Sequence, residues 1–130
     1  MSAPDTLLPL ATALASAKGW DDFTRTLMLS GKSLTPLPDS NRTNENSVDG
    51  CESPVWLAYC CEQSKLMAYS PSKVIRGVLA VLLEKANALT EQQRREFDFE
   101  QYLTQCQLER YLSQSRGNGI KSVIQKLKDV

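Results

Sequence analysis

The chain has 130 residues, 42% hydrophobic and 23% charged, which fits one globular domain able to bury a core without disulfide staples. Lys plus Arg and Asp plus Glu number 15 each, so formal charge is zero; that balance argues against a nucleic-acid binder and leaves room for local charged patches that meet a protein partner. Histidine is absent, which excludes Cys–His and Ser–His–Asp nucleophiles and His-ligated metals.

At the N-terminus, Leu7, Leu8, Leu10, Ala11, Leu14 and Ala15 follow a helical spacing interrupted near its start by Pro9. The segment Leu7–Ala17 is mildly apolar, but Asp5 precedes it, Pro9 breaks it and the first basic residue is Lys18, so it does not read as a secretory signal. The longest apolar run, Val78–Leu83, falls far short of the ~20 residues that span a bilayer. A cytoplasmic protein is expected. Asp21 or Asp22 gives an N-cap signal, and Phe23, Leu27 and Met28 form a stripe ending at Gly31, a candidate C′ glycine; a helix is expected over about 21–30. Trp20 and Trp56 read as core anchors.

From Lys32 to Gly50 prolines, asparagines and aspartates dominate, which is loop composition, and a connection this long in a small domain is functional or mobile. The run Val55–Cys61 is rich in strand formers, with Val55, Leu57 and Tyr59 on one face and Trp56, Ala58 and Cys60 on the other. A polar turn over Glu62–Ser64 and a second strand, Lys65–Tyr69, complete a β-hairpin. Ser70-Pro71 predicts a helix start, with Pro at its first position. That helix, Pro71 to about Ala86, is apolar almost all round and is expected to be the most buried. Gly77 inside it costs ~1 kcal/mol relative to Ala, which points to close packing against the sheet. Thr90-Glu91-Gln92-Gln93 is a capping box. Short helices are expected at about Asp98–Leu103 and Leu108–Leu112, a turn at Ser115–Gly119, and a last helix over about 117–128. The fold expected is a single α+β domain, 1–130, in which helices from both ends pack a small antiparallel sheet.

Four cysteines are present: Cys51, Cys60, Cys61 and Cys106. They form no C-x-x-C, which argues against a zinc ribbon or a thioredoxin-type pair. Cys51 stands where the long polar loop meets the first strand, after Gly50, a position that can expose a thiol on a rigid scaffold. Spacing alone favours a small apolar residue filling a gap there. Cys60, Cys61 and Cys106 read as core or strand thiols.

The segment Gly50-Cys51-Glu52-Ser53-x-Val55-Trp56-Leu57 resembles the active-cysteine segment of the SufE/CsdE family of sulfur acceptors. Three further segments are similar to that family in order: Leu34-x-x-Leu37-Pro38, Val74–Val81, and Leu112-x-x-Ser115-Arg116-x-x-Gly119. Details around Val55–Tyr59 and Arg76–Leu83 look closer to the CsdE branch. The resemblance implies a compact α+β fold like that of iron–sulfur scaffold proteins (SufE/IscU-like). It implies an accessory protein, not a stand-alone turnover enzyme. Its sulfur donor would be a cysteine desulfurase of the SufS/CsdA type carrying pyridoxal phosphate (PLP), with no cofactor or metal on this chain. Its recipient would be an iron–sulfur scaffold or another sulfur acceptor.

By motif position Cys51 would carry sulfur as a persulfide, and Arg116 could lie near it and stabilise the thiolate. The 32–50 loop could tuck Cys51 away and then present it. Glu52 would disfavour a thiolate if it converged on Cys51, and is expected to face solvent or the partner. Two departures from the family pattern, Tyr69-Ser70 before the central helix and Pro54 at the strand entry, bear on partner fit. Competing readings are a thiol redox protein using Cys60-Cys61 and a scaffold in which Cys51 has no chemical role. A monomer is compatible with the composition.

Overall fold

The computed structural model describes residues 8–34, 36–48, 54–60, 65–108 and 114–129, with the backbone alone for 114–119. Among these, six α-helices surround a two-stranded antiparallel sheet, the α+β arrangement expected. Helix α1 (Pro9–Ala15) starts at its proline, whose missing N–H costs nothing at a first position. Its C-terminal carbonyls are met from far along the chain: Gln107 Nε2 donates to the carbonyls of Leu14, Ala15 and Ala17 at 2.9, 3.2 and 3.1 Å. Gln107 itself sits at φ 69°, the left-handed region.

Helix α2 (Trp20–Gly31) is entered through Gly19, whose φ of 89° favours glycine. Neither aspartate is the N-cap; both lie in the first turn, where negative charge suits the helix dipole, and Asp22 accepts from the Lys18 N–H at 2.9 Å. Trp20 is 53% exposed at the helix start, so it is no core anchor. Gly31 is not a left-handed C′ residue: it closes the helix, and Lys32 follows in right-handed geometry.

The hairpin pairs β1 (Trp56–Cys60) with β2 (Lys65–Tyr69), placing Trp56 opposite Tyr69 and Cys60 opposite Lys65. The intervening turn, with Cys61, lies outside the described residues. Leu57 and Val55 are buried, as alternation requires, while Tyr59 on the same face runs out into solvent at 48% exposure. β2 has its outer edge covered. Asn87 accepts from the Leu66 N–H at 2.8 Å and donates to the Leu66 carbonyl at 3.2 Å, and the Leu37 N–H donates to the Ala68 carbonyl at 3.1 Å. These contacts satisfy backbone groups that would otherwise offer a pairing edge.

Helix α3 (Lys73–Ala88) is the buried centre, with Gly77 to Leu83 all buried. Its N-cap is Ser72, whose hydroxyl accepts from the Ile75 N–H at 3.3 Å, and not Ser70. Ser70 is buried and accepts from the Ser72 N–H at 3.3 Å, so the first serine turns the chain past Pro71 and the second caps the helix. Gly77 faces helix α2 and not the sheet. A Cβ there would stand 2.1 Å from the Leu27 carbonyl oxygen, and one on Gly31 would stand 3.1 Å from the Gly77 nitrogen. The two glycines thus let α2 and α3 cross in near backbone contact.

Helix α4 (Glu91–Glu96) carries the expected capping box, with Thr90 and Gln93 exchanging bonds of 3.0 and 3.1 Å. Helix α5 (Phe99–Gln105) is capped by Asp98, which accepts from the Gln101 N–H at 3.0 Å. The short helix expected at Leu108–Leu112 falls mostly outside the described residues. The last helix, α6 (Gln114–Asp129), runs straight through the expected Ser115–Gly119 turn. Its buried face of Val123, Ile124 and Leu127 offsets two helical glycines, each worth ~1 kcal/mol against the helix. Arg94 ties α4 to it by donating Nε to the Leu127 carbonyl at 2.9 Å. Among the described residues no helix is long and apolar enough to cross a membrane.

Candidate functional site

The site is built on the polar connection after α2. Leu37 is fully buried and fixes the start of the connection against β2. Arg42 then folds back: its Nε donates to the Leu37 carbonyl at 2.9 Å, it pairs with Asp39, and its guanidinium lies 3.6 Å from the centre of the Tyr69 ring. Two single turns of 3-10 helix, Asp39–Asn41 and Asn44–Asn46, shape the next stretch. Asn46 Nδ2 donates to the Asn41 carbonyl at 2.7 Å, the Ser47 hydroxyl to the Asn44 carbonyl at 2.8 Å, and Lys126 of α6 to the Glu45 carbonyl at 3.1 Å. From Pro36 to Val48 the connection is therefore tied down by these contacts.

The pinning continues to the strand. The Val48 N–H donates to the Val55 carbonyl at 2.8 Å, and Ser47 bridges to Trp56 antiparallel. The two ends of the chain that carries Cys51 are thus held together, with residues 49–54 connecting Val48 to Val55. Cys51 and Glu52 lie outside the described residues. Arg116 belongs to α6 by its backbone, and its side chain lies outside the described part. The expected meeting of Arg116 and Cys51 therefore falls beyond what is described.

Around the roots of this connection Trp56 and Tyr69, both noted in the sequence for other reasons, meet two arginines that the sequence did not single out. Trp56 stacks on Tyr69 with ring centres 6.3 Å apart. Tyr69 carries Arg42 at 3.6 Å, and the Arg76 guanidinium lies 5.8 Å from the ring centre. Arg76 Nη2 donates to the Pro71 carbonyl at 3.4 Å, while its Nε is buried without a partner among the described residues. The pairing of Trp56 with Tyr69 follows from hairpin register and was open to inference; the two arginines come from distant loop and helix positions.

The other described thiols differ sharply from an exposed nucleophile. Cys106 is fully buried, donates to the Leu103 carbonyl at 3.4 Å, and has its pKa pushed up to about 12 by burial. It carries no thiolate near neutral pH. Cys60 is half-buried on β1, with Asn41 Nδ2 at 3.9 Å from its sulfur. Both are strand or core thiols, as expected.

Comparison with known proteins agrees with this architecture. The family model "SufE: Fe-S metabolism associated domain" matches residues 9–130. The chain is 30% identical over 117 residues to the sulfur acceptor protein CsdE of Escherichia coli (strain K12), covering 88% of this chain and 81% of that one. It is 26% identical over 117 residues to the cysteine desulfuration protein SufE of Wigglesworthia glossinidia brevipalpis, covering 88% and 81%. An uncharacterised SufE-like protein of Haemophilus influenzae is 25% identical over 120 residues, covering 90% and 95%. With the family model spanning almost the whole chain, over an α+β fold whose hairpin begins just after the Gly-Cys-Glu-Ser segment, this chain belongs to the SufE family.

Proposed function

We infer that this protein is a sulfur acceptor and carrier that works with a cysteine desulfurase in iron–sulfur metabolism, in the manner the names of its relatives describe. The observation that carries the reading is the family match across residues 9–130, with Cys51 standing in the segment tied off by the Val48–Val55 backbone bond. The Cys51 thiolate attacks the terminal sulfur of a persulfide on the desulfurase. The donor's S–S bond breaks, a new S–S bond forms at Cys51, and the donor cysteine leaves as a thiolate. Two electrons shift between sulfurs with no external oxidant. Cys51 then passes the sulfur to an iron–sulfur scaffold or another acceptor thiol by the same exchange.

The pinned rim supports this role because it holds both roots of the Cys51 segment, Val48 and Val55, on the rigid scaffold. Arg116 is assigned the task of holding the thiolate by charge, since the chain offers no histidine. Pyridoxal phosphate belongs to the desulfurase, and this chain requires no cofactor of its own. We place the exchange in the cytoplasm, where the thiols stay reduced.

Clearing the bound persulfide should speed the desulfurase. Adding the protein to a cognate desulfurase with cysteine is expected to raise the rate of alanine release severalfold, and Cys51→Ser is expected to abolish the increase. Equal stimulation by Cys51→Ser would remove Cys51 from the reaction.

A further inference from the structure

The exposed face of α2 repeats at helical spacing: Arg25, Met28, Leu29 and Lys32 stand at i, i+3, i+4 and i+7 and share one side. Met28 is 37% and Leu29 54% exposed, both large apolar side chains left in water. Because Gly31 and Gly77 bring α2 and α3 together at one end, the face is not flat. It forms one wall of a groove of about 300 Å³, whose other wall is the start of α3, with Lys73 and Arg76.

The groove is lined by four cations and two apolar residues, with no acidic residue among its lining. The first turn of α3 also has no acidic residue, so the positive end of that helix dipole adds to the same field. Among the described residues, none of the four cations has an ion-pair partner. The chain as a whole is neutral, so this is a local concentration of charge. Apolar anchors ringed by cations in a concave site match an acidic protein segment with apolar side chains better than a phosphate backbone or a convex lipid surface.

Arg76 belongs to two surfaces: it lines the groove and lies over Tyr69, which stacks on Trp56 at the root of the Cys51 connection. A partner reaching Cys51 can therefore lie along the groove at the same time. We propose that the α2–α3 groove is a second docking point for the cysteine desulfurase, receiving an acidic, partly apolar segment of that enzyme. This rests on the desulfurase being the partner, and it goes beyond that reading by assigning part of the binding to residues remote from the sulfur chemistry. Electrostatic docking of this kind acts chiefly on partner capture, so it lowers the protein concentration needed and leaves the exchange at Cys51 unchanged.

The test is the affinity of the full chain for the cognate desulfurase by biolayer interferometry, with alanine release measured in parallel. Arg25→Glu/Lys32→Glu reverses two exposed charges without touching the core. It is expected to weaken binding roughly tenfold or more at low salt, with stimulation restored at saturating protein. Leu29→Asp is expected to act in the same direction. Lys121→Glu, an exposed reversal on α6, is expected to change affinity less than about twofold. A benzoylphenylalanine at Leu29 is expected to cross-link to an acidic desulfurase peptide. The proposal is overturned if the double reversal binds like the wild type, if Lys121→Glu weakens binding as much, if the cross-link maps to a basic or neutral segment, or if the wild type does not bind the desulfurase. Loss of stimulation in Cys51→Ser with intact binding concerns the sulfur step alone, so failure of the groove and failure of the carrier role are read separately.

Discussion

Replacing Gly77 with alanine tests the crossing of α2 and α3. By helix propensity alone the change should stabilise by ~1 kcal/mol. The structure predicts the opposite sign. The new Cβ would lie 2.1 Å from the Leu27 carbonyl oxygen and 2.8 Å from the Leu27 carbonyl carbon and Cγ. Ordinary contact needs at least ~1 Å more. The obstruction is backbone, so relief requires moving α2, whose Phe23 and Leu27 are 1% exposed in the core. Overpacking of this kind costs about 1–3 kcal/mol and more when backbone must shift. We expect a net loss of about 2–3 kcal/mol out of a total of roughly 6–20 kcal/mol for a chain this long. In a urea titration with a slope near ~1.5 kcal/mol/M, the midpoint should fall by about 1.3–2 M with the slope unchanged. Gly31→Ala is the internal control. Its Cβ would meet the Gly77 nitrogen at 3.1 Å and Arg76 atoms at 3.3 Å, a mismatch of a few tenths of an ångström, and its unfolding free energy should stay within about 1 kcal/mol of wild type. A Gly77→Ala midpoint equal to or above wild type would refute the reasoning.

Three other predictions rest on individual side chains. Cys106 and Tyr102 are acids whose folded pKa values, each about 12, lie above the ordinary 9.0 and 10.0, mainly through burial. Between those values the unfolded chain has lost protons the folded chain keeps, so stability is intact below pH ~9 and falls as pH rises towards 12; Cys106→Val should flatten the first part of that decline in pH-resolved urea midpoints. The same burial predicts that iodoacetamide at pH 8 leaves the Cys106 peptide unmodified until urea unfolds the chain, and early labelling would contradict it. Arg42→Lys keeps the charge but loses the Nε bond to Leu37 and the planar contact with Tyr69. It should cost about 1–2 kcal/mol by thermal denaturation, and an unchanged midpoint would show that the charge alone matters.

What could be read from the sequence was local. The Thr90–Gln93 box, the alternation in Val55–Tyr59 and the all-round apolar pattern of α3 each depend on residues a few positions apart, and each element is present. Errors came where a distant contact outweighed a local signal. Gly31 and Gly77 look like a helix stop and a helix flaw, and their use appears only when the two helices meet. Ser70-Pro71 is a good start pattern, yet Ser72, two residues later, offers the hydroxyl that accepts from the Ile75 N–H. Gly117 and Gly119 argue for a turn, but the apolar face from Ile120 onward carries the helix back through them. Trp20 shows that a large aromatic near a helix start need not be buried. At the candidate site, Cys51 was singled out by its place between the polar loop and the first strand and by a motif. Arg42 and Arg76 gave no signal, because what brings them together is Tyr69 on the hairpin.

The most direct test of the central claim is mass spectrometry of the protein after incubation with a cognate cysteine desulfurase and cysteine, with alkylation and peptide mapping. The account predicts added mass in steps of one sulfur atom on the Cys51 peptide, none on the Cys60 or Cys106 peptides, and none in Cys51→Ser. Unmodified Cys51 in a protein that binds the desulfurase, or sulfur added equally to Cys60, would contradict it.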